Sequence, residues 1–133
     1  MISHTSLGTN DLPRAERFYD ALLPGLGGSK LLRTDRAVFY SFGEGLAKLA
    51  ISKPFNGEPA SNGNGTMVAL SADGEEHVKT LHARALALGA TCEGEPGPRQ
   101  DGLYFGAYFR DLDGNKFAIF HLLRDPEKSL RGE

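Results

Sequence analysis

The side chains of this sequence that are best able to bind a metal or transfer a proton are four histidines and one cysteine. His4 lies in a predicted first strand and His121 ends a predicted last strand. His77 and His82 lie on a predicted helix away from its apolar stripe, so we expect them at the surface. Cys92, the only cysteine, excludes an internal disulfide and a cysteine-rich zinc site. No Ser-His-Asp spacing, phosphate-binding glycine loop or pair of catalytic carboxylates is evident.

Composition limits the class of protein and of partner. A chain of 133 residues with 40% hydrophobic and 24% charged residues predicts one compact soluble unit. A net charge of −2 argues against nucleic acid, which leaves a small molecule or another protein as the partner. The N-terminal "MISHTSLGTN" has no signal-peptide pattern, and no apolar run approaches a membrane span. We therefore expect a cytoplasmic protein with no membrane partner.

The first half of the chain predicts a strand, a helix and three further strands. The strand covers residues 2–8, and Asp11 caps a helix that carries Pro13 in its first turn. Three short strands follow, at about 29–33, 37–43 and 46–52. The segment "KPFNGEPASNGNG" (53–65) is dense in Pro, Gly and Asn and predicts a loop that links the two halves.

The second half repeats this order. "TMVALSA" predicts a strand, and Asp73 with Glu76 predicts a capping box for a helix that ends at Gly89. A short strand "TCEG" (91–94), a loop to residue 102 and a hairpin turned by "DGN" follow. We expect one domain over residues 1–133, built from module one (1–53), a linker (54–64), module two (65–123) and a tail (124–133).

Aligning the halves tests whether they are repeats. A shift of 62 residues pairs His4 with Thr66, Asp11 with Asp73 and Gly27 with Gly89. The last strands match at a shift of 68, which places Ala50 on Ala118. The six extra residues fit in the 94–102 loop. The pattern predicts a β-α-β-β-β unit that occurs twice.

Three segments together resemble a known superfamily: the strand with His4, the helix "DLPRAERFY" and the segment "RDLDGNKFAI". They are similar to the vicinal oxygen chelate superfamily, also called glyoxalase/bleomycin resistance/dioxygenase. "NGNGTMVAL" and "PGPRQDGLYFGAYFRDLDGNK" resemble an uncharacterised glyoxalase-like subgroup of it. The resemblance implies an α+β fold of two tandem βαβββ modules whose curved sheets enclose a cleft. It also implies a homodimer.

The resemblance further implies a divalent cation held by His or Glu from the first and last strand of each module. On this chain those positions are His4, Ala50, Thr66 and Ala118. A catalytic ion needs about three protein ligands. Alanine offers none and threonine only a weak neutral oxygen, so His4 is the only retained candidate. We expect no cofactor, although a divalent metal held by an unconventional set that includes His4 remains possible.

Strand alternation indicates residues that could bind an organic ligand in place of a metal ion. It places Tyr104 and Tyr108 on the cleft face, and Phe105 and Phe109 beneath the helix. The tyrosines could stack on a ligand and orient it, although ordinary sheet packing would also explain them. Arg99 could pair with an anion, although a solvated loop arginine is the simpler interpretation. The ligand-binding candidates are His4, Thr66, Tyr104, Tyr108, Arg99, Lys48, Ala50 and Ala118.

Two hypotheses follow from these residues. The first is a binding protein of the glyoxalase fold with a degenerate metal site, which takes a small, aromatic or anionic, organic molecule in the cleft. The second is a metal-dependent lyase, isomerase or dioxygenase-like enzyme, similar to lactoylglutathione lyase, whose ligand set includes His4. Fold alone does not decide between them.

Overall fold

The computed structural model describes residues 1–132, apart from the side chain of Ser129. The chain forms two compact units. The first contains residues 1–66 together with 111–115, and the second contains residues 67–110 together with the segment from 116 onward.

The first unit is a four-stranded sheet with one helix. Its elements are β1 (His4–Gly8), α1 (Leu12–Leu22), a 3-10 turn (Leu23–Leu26), β2 (Ser29–Arg33), β3 (Ala37–Ser41) and β4 (Lys48–Ser52). The strand order is β1-β4-β3-β2, in which β1 is parallel to β4 and the other pairs are antiparallel. The predicted order of elements is confirmed for this unit.

Helix α1 forms where the sequence combines a capping residue with an apolar stripe. The Asp11 carboxylate accepts the backbone N–H of Arg14 at 3.0 Å, and Pro13 lies in the first turn. The buried side chains of the helix recur at helical spacing: Leu12, Ala15, Phe18, Tyr19 and Leu22. Since α1 contacts β3 and β4, this stripe and the sheet form one core.

The second unit has the same plan. Its elements are β5 (Val68–Ser71), α2 (Glu75–Ala87), β6 (Thr91–Arg99), β7 (Tyr104–Arg110), β8 (Lys116–Leu122) and α3 (Pro126–Leu130). The strand order β5-β8-β7-β6 repeats that of the first sheet, again with one parallel pair. The chain therefore has the α+β fold of two tandem βαβββ modules, each with an open sheet. No helix among the described residues is long and apolar enough to cross a membrane.

Two predictions about α2 are wrong. Gly74, not Asp73, is the N-cap residue, and no side chain caps the helix; the Asp73 N–H instead donates to His77 Nδ1 at 2.9 Å. His82 is 3% exposed and not on the surface, because it occupies a position of the buried stripe. An imidazole is mostly ring carbon and can take such a position, although His82 Nε2 has no hydrogen-bond partner among the described residues.

The buried stripes also correct the alignment of the two halves. Four buried pairs coincide at a shift of 63 residues: Ala15 with Val78, Phe18 with Leu81, Tyr19 with His82, and Leu22 with Ala85. The shift of 62 that matched caps and glycines is therefore wrong by one residue within the first strand and helix. Packing decides the register, since a one-residue error moves every side chain to another face.

Strand β6 is longer than predicted. It runs from Thr91 to Arg99 through two prolines, Pro96 and Pro98, in a segment that we predicted to be mostly loop. Strand β6 lies at the edge of its sheet, where a missing N–H costs no ladder bond if that side faces outward. Register shifts between Cys92 and Gly97 accommodate the irregular pairing.

Each sheet has one face toward its helix and one face away from it, which we call the helix-free face. In the first sheet the Tyr40 hydroxyl reaches Asp20 of α1 at 2.9 Å, which identifies the helix side. In the second, the Lys79 ammonium of α2 lies 5.8 Å from the centre of the Phe105 ring. Pairing of Phe105 with His121 and of Tyr104 with Leu122 confirms the predicted faces of β7 and β8.

Candidate functional site

The helix-free face of the first sheet carries three of the predicted site residues. His4 pairs with Lys48, and Ala50 pairs with Ser6, so these side chains lie on one face. The His4 ring meets Phe39 edge to face with centroids 5.7 Å apart, and its Nδ1 lies 3.2 Å from the Ser3 hydroxyl. His4 is thus an exposed ring at the end of the strand, in contact with an aromatic neighbour.

Strand pairing identifies the corresponding positions in the second sheet. Ala118 pairs with Ala69 as Ala50 pairs with Ser6, which confirms that the two alanines are counterparts. Two residues before Ala69 is Met67, so Met67 and not Thr66 is the counterpart of His4. Thr66 precedes β5, belongs to the first unit and donates its N–H to the Gly63 carbonyl at 3.4 Å. The predicted pairing of His4 with Thr66 is therefore wrong.

The residues at these four positions do not fit a catalytic divalent ion. They offer one imidazole, one thioether and two methyl groups, whereas such an ion needs about three nitrogen or oxygen ligands. Ala50 is 1% exposed and Ala118 3% exposed, so both methyl groups are packed against neighbouring atoms. Among residues 1–132, no group of three or more His, Cys, Asp or Glu side chains is arranged to hold a metal.

The helix-free face of the second sheet brings together two tyrosines and two cations, which we call the tyrosine–cation cluster: Tyr104, Tyr108, Arg99 and Lys116. The two hydroxyl oxygens lie 2.5 Å apart. The Arg99 guanidinium lies 5.6 Å and the Lys116 ammonium 5.4 Å from the centre of the Tyr108 ring, within the range of a cation–π contact. Tyr108 pairs with Ala118, so the cluster adjoins the alanine that replaces the expected carboxylate.

Two glycines make room for the tyrosine rings. A Cβ at Gly94 would lie 2.9 Å from the Tyr108 ring, and a Cβ at Gly106 would lie 2.9 Å from the Tyr104 ring. Phe120 meets Tyr104 edge to face at 5.8 Å and fixes its other side. We did not anticipate the role of these glycines, because the sequence shows which residues share a face but not how closely the rings approach the backbone.

The electrostatics of the cluster favour an anion. Burial raises the pKa of Tyr108, and its hydrogen bond to Tyr104 raises it further, so the hydroxyl stays protonated at neutral pH. Arg99 donates to the backbone carbonyls of Glu95 and Pro98. Within the described part of the chain, neither Arg99 nor Lys116 has a carboxylate within salt-bridge distance. The hydrogen bond from Arg110, with a smaller contribution from the Lys116 charge, lowers the pKa of Glu93, so Glu93 offsets part of the Lys116 charge and has Arg110 as its salt-bridge partner. Arg99 and the remaining charge of Lys116 can attract a ligand of negative charge, and a tyrosine hydroxyl can donate a hydrogen bond to it.

The segment "DLDGN" builds a different structure, a buried polar network around Asp111 in the turn between β7 and β8. One carboxylate oxygen of Asp111 accepts the N–H groups of Asp113 and Asn115, at 2.9 and 2.8 Å. The other accepts the Tyr19 hydroxyl and the Asn115 side-chain amide. Burial and the Asp111 charge raise the pKa of Tyr19, so this hydroxyl is a donor.

Asp113 fixes the same turn to the start of α1. Its carboxylate accepts the Thr9 hydroxyl at 2.6 Å, the Asn10 N–H at 2.9 Å and the Arg14 guanidinium at 3.3 Å. An acidic group at a helix N-terminus is favourable because it meets unpaired N–H groups. Every acceptor of Asp111 and Asp113 thus serves folding, and we assign no ligand to them.

Each module has its first and last strands paired in parallel at one edge of a four-stranded sheet whose one face is free of helix. That duplicated arrangement defines a class of α+β proteins built from two βαβββ modules. The chain belongs to the Glyoxalase/Bleomycin resistance protein/Dioxygenase superfamily, whose family model matches residues 1–119.

Solved structures agree with this assignment. A glyoxalase/bleomycin resistance protein from Albidiferax ferrireducens is 37% identical, with a TM-score of 0.82 over 91% of this chain and 98% of that one. A lactoylglutathione lyase from Agrobacterium tumefaciens is 25% identical, with a TM-score of 0.68 over 91% and 92%. A putative glyoxalase from Bacillus halodurans, 20% identical with a TM-score of 0.75 over 91% and 95%, shares the fold. The search of curated proteins found no match.

Proposed function

We propose that the protein binds a small aromatic anion at the tyrosine–cation cluster without a divalent metal. The observation that carries this proposal is the pair of cations at the Tyr108 ring, neither of which forms a salt bridge among the described residues. Cations held at a ring without a salt-bridge partner attract a negative ligand, and an aryl group adds stacking area.

The donor set at the family's metal positions supports the metal-free part of the proposal. At the position where the resemblance implies a glutamate, the second sheet offers only the methyl group of Ala118. Ala118 is paired with Tyr108 and therefore adjoins the cluster. A carboxylate at that position would compete with an anionic ligand for Arg99 and Lys116. Its replacement by alanine leaves the positive charge available.

Benzoate is a suitable probe, with neutral benzamide as its matched control. We expect benzoate to shift the backbone amide signals of Gly94, Tyr108 and Ala118 in ¹⁵N-edited NMR titrations, and benzamide to bind about tenfold more weakly. The double variant Arg99→Gln/Lys116→Gln should weaken benzoate binding by about tenfold or more. The variant Arg17→Gln/Arg124→Gln, which removes two exposed charges elsewhere, should leave it unchanged.

Benzoate binding of equal strength in both double variants would contradict the proposal. Equal binding of benzamide and benzoate would do the same, because it would show that charge plays no part in recognition.

We also propose that the chain forms a homodimer. All five residues of the edge strand β2 are exposed, among them Leu31 at 56% and Leu32 at 52%. An exposed apolar sheet edge is a site at which chains associate. Light scattering at micromolar concentration should give about twice the 14.3 kDa mass of the chain, and a value equal to the chain mass would reject the dimer.

A further inference from the structure

A cavity in the first unit lies between the strand ends and the linker, and none of its lining residues belongs to the tyrosine–cation cluster. Its volume is about 560 Å³, within the range of small-molecule sites. Strand residues Ser6, Gly8, Ala37 and Ser52 form one wall, and the segment from Lys53 to Ser61 forms the other. Ser6 and Ser52 lie on the helix-free face of the sheet and their hydroxyls are 2.9 Å apart.

The linker forms a fixed wall, although its composition predicts only a loop. The Ala60 N–H donates to the Asn10 side chain at 2.7 Å, and the Asn10 amide donates back to the Ala60 carbonyl at 3.4 Å. Gly8 allows close approach, since a Cβ there would lie 3.0 Å from the Ala60 Cβ. The Asn56 side chain accepts the Glu58 N–H at 3.0 Å. A wall held by these bonds exists before any ligand arrives, which reduces the entropy that binding must lose.

The charged side chains of the cavity are both cationic. The Lys53 N–H donates to the Arg36 carbonyl at 2.8 Å, and the Arg36 guanidinium donates to the Lys53 carbonyl at 3.4 Å. These two hydrogen bonds keep Arg36 and Lys53 next to each other. Within the described residues neither cation has a carboxylate at salt-bridge distance, and none of the lining residues is acidic. Glu58 lines an adjoining groove that shares Arg36 and Lys53 with the cavity, but its carboxylate forms no salt bridge with either cation among the described residues.

The remaining lining residues indicate the rest of the ligand. Ser6, Ser52, Ser61 and Asn56 offer hydroxyl and amide groups, which suit a ligand rich in hydroxyls. Phe55 is 92% exposed and its ring lies 5.2 Å from the Arg36 guanidinium. One aromatic surface therefore remains at the rim of the cavity, where it can cover the C–H face of a sugar-like ring.

We infer that this cavity is a second binding site, which takes a hydroxylated organic acid of the size of a sugar acid. Arg36 and Lys53 bind the carboxylate, the serines and Asn56 bind hydroxyls, and Phe55 packs on the ligand's carbon skeleton. The inference is independent of the proposed function, since it rests on other residues and another ligand chemistry.

The test uses D-glucuronate as the probe and D-glucose as its uncharged control, in ¹⁵N-edited NMR titrations of the full chain. We expect saturable shifts of the amide signals of residues 53–61 with glucuronate, and binding at least tenfold weaker with glucose. The variant Arg36→Gln/Lys53→Gln should lose tenfold or more in affinity, whereas Arg17→Gln/Arg124→Gln should match the wild type. Increasing salt should weaken glucuronate binding.

Three results would overturn the inference. They are the absence of saturable shifts in residues 53–61, equal binding of glucose and glucuronate, and unchanged affinity in a folded Arg36→Gln/Lys53→Gln variant. A variant whose spectrum shows unfolding is replaced by Phe55→Ala, which removes an exposed side chain and should weaken glucuronate binding severalfold. Unchanged binding in that variant would equally contradict the inference. Benzoate titrations of the same samples report on the tyrosine–cation cluster separately.

Discussion

Replacement of Asp111 by asparagine is expected to lower the free energy of unfolding by about 3 kcal/mol. The two carboxylate oxygens of Asp111 accept four hydrogen bonds from the Tyr19 hydroxyl and from groups of Asp113 and Asn115. An asparagine amide has only one oxygen and no charge. With its NH₂ group toward the backbone N–H groups of Asp113 and Asn115, two bonds are lost; with the NH₂ group toward Tyr19, the hydroxyl can rotate to accept, but the bond from the Asn115 amide is lost. Asp111 is 5% exposed, so water cannot replace the lost bonds, and the remaining ones are no longer strengthened by a charged acceptor.

Chemical denaturation followed by circular dichroism measures this loss. Asp35→Asn is the control, because Asp35 is exposed and forms no salt bridge among the described residues; it should change the unfolding free energy by less than about 0.5 kcal/mol. Tyr19→Phe, which removes one of the four donors, should cost about 1 kcal/mol. A loss below about 1 kcal/mol for Asp111→Asn would show that the turn does not depend on this network.

Restoring the family's carboxylate in the first sheet is expected to destabilise the protein rather than create a site. Ala50 is 1% exposed, and its paired neighbours are Phe39 and Ser6. Ala50→Glu should lower the unfolding free energy by about 3 kcal/mol at pH 7, because burying a carboxylate costs more than the half-buried Lys48 ammonium on the same face recovers. Ala69→Glu, at an exposed alanine of the other sheet, should be nearly neutral.

The pH dependence of Ala50→Glu follows from the same burial. Burial raises the folded-state pKa of the new carboxyl above its unfolded value, so the folded protein keeps the proton to a higher pH. The destabilisation should therefore be smallest below about pH 4, where both states are protonated, and should grow as the pH rises. A destabilisation that is large at acidic pH and disappears at neutral pH would mean that a cation, or a bound metal, meets the new carboxylate.

Alternation and turn composition were sufficient to predict the order of the strands and the faces of β7 and β8. The apolar and polar residues of "LYFGAYFR" alternate at period two, and pairing places Tyr104 and Phe105 on the predicted faces. The order β-α-β-β-β, occurring twice, was predictable because helix stripes and Pro/Gly loops alternate along the chain.

Other features depended on packing that the sequence does not show. Matching caps and glycines gave a shift of 62, whereas the buried stripes require 63 for the helices. The sequence predicts His82 as a polar surface residue. In the second module, however, it occupies the position that Tyr19 has in the first, and it lies in the core. Pro96 and Pro98 suggested a loop, because their tolerance on an edge strand requires knowledge of the sheet order.

The grouping of some candidate residues was predictable from the sequence. Tyr104, Tyr108 and Arg99 were selected for their chemistry, and the structure brings them together with Lys116. His4, Lys48 and Ala50 share a face of the other sheet, and Thr66 lies outside the strand to which it was aligned. The cavity beside Arg36 and Lys53 could not be predicted, because it is formed by bonds between the linker and Asn10, residues 50 positions apart.

Calorimetric titration of benzoate, with and without metal, tests the metal-free proposal most directly. The protein is purified without chelator, its metal content is measured, and one half is treated with EDTA and the other supplied with Zn²⁺ or Ni²⁺. We expect no stoichiometric metal and the same benzoate affinity in both halves, with Arg99→Gln/Lys116→Gln weaker in each. Stoichiometric metal that is lost with His4→Ala, together with ligand binding that disappears after EDTA treatment, would contradict the proposal and favour a metal-dependent enzyme.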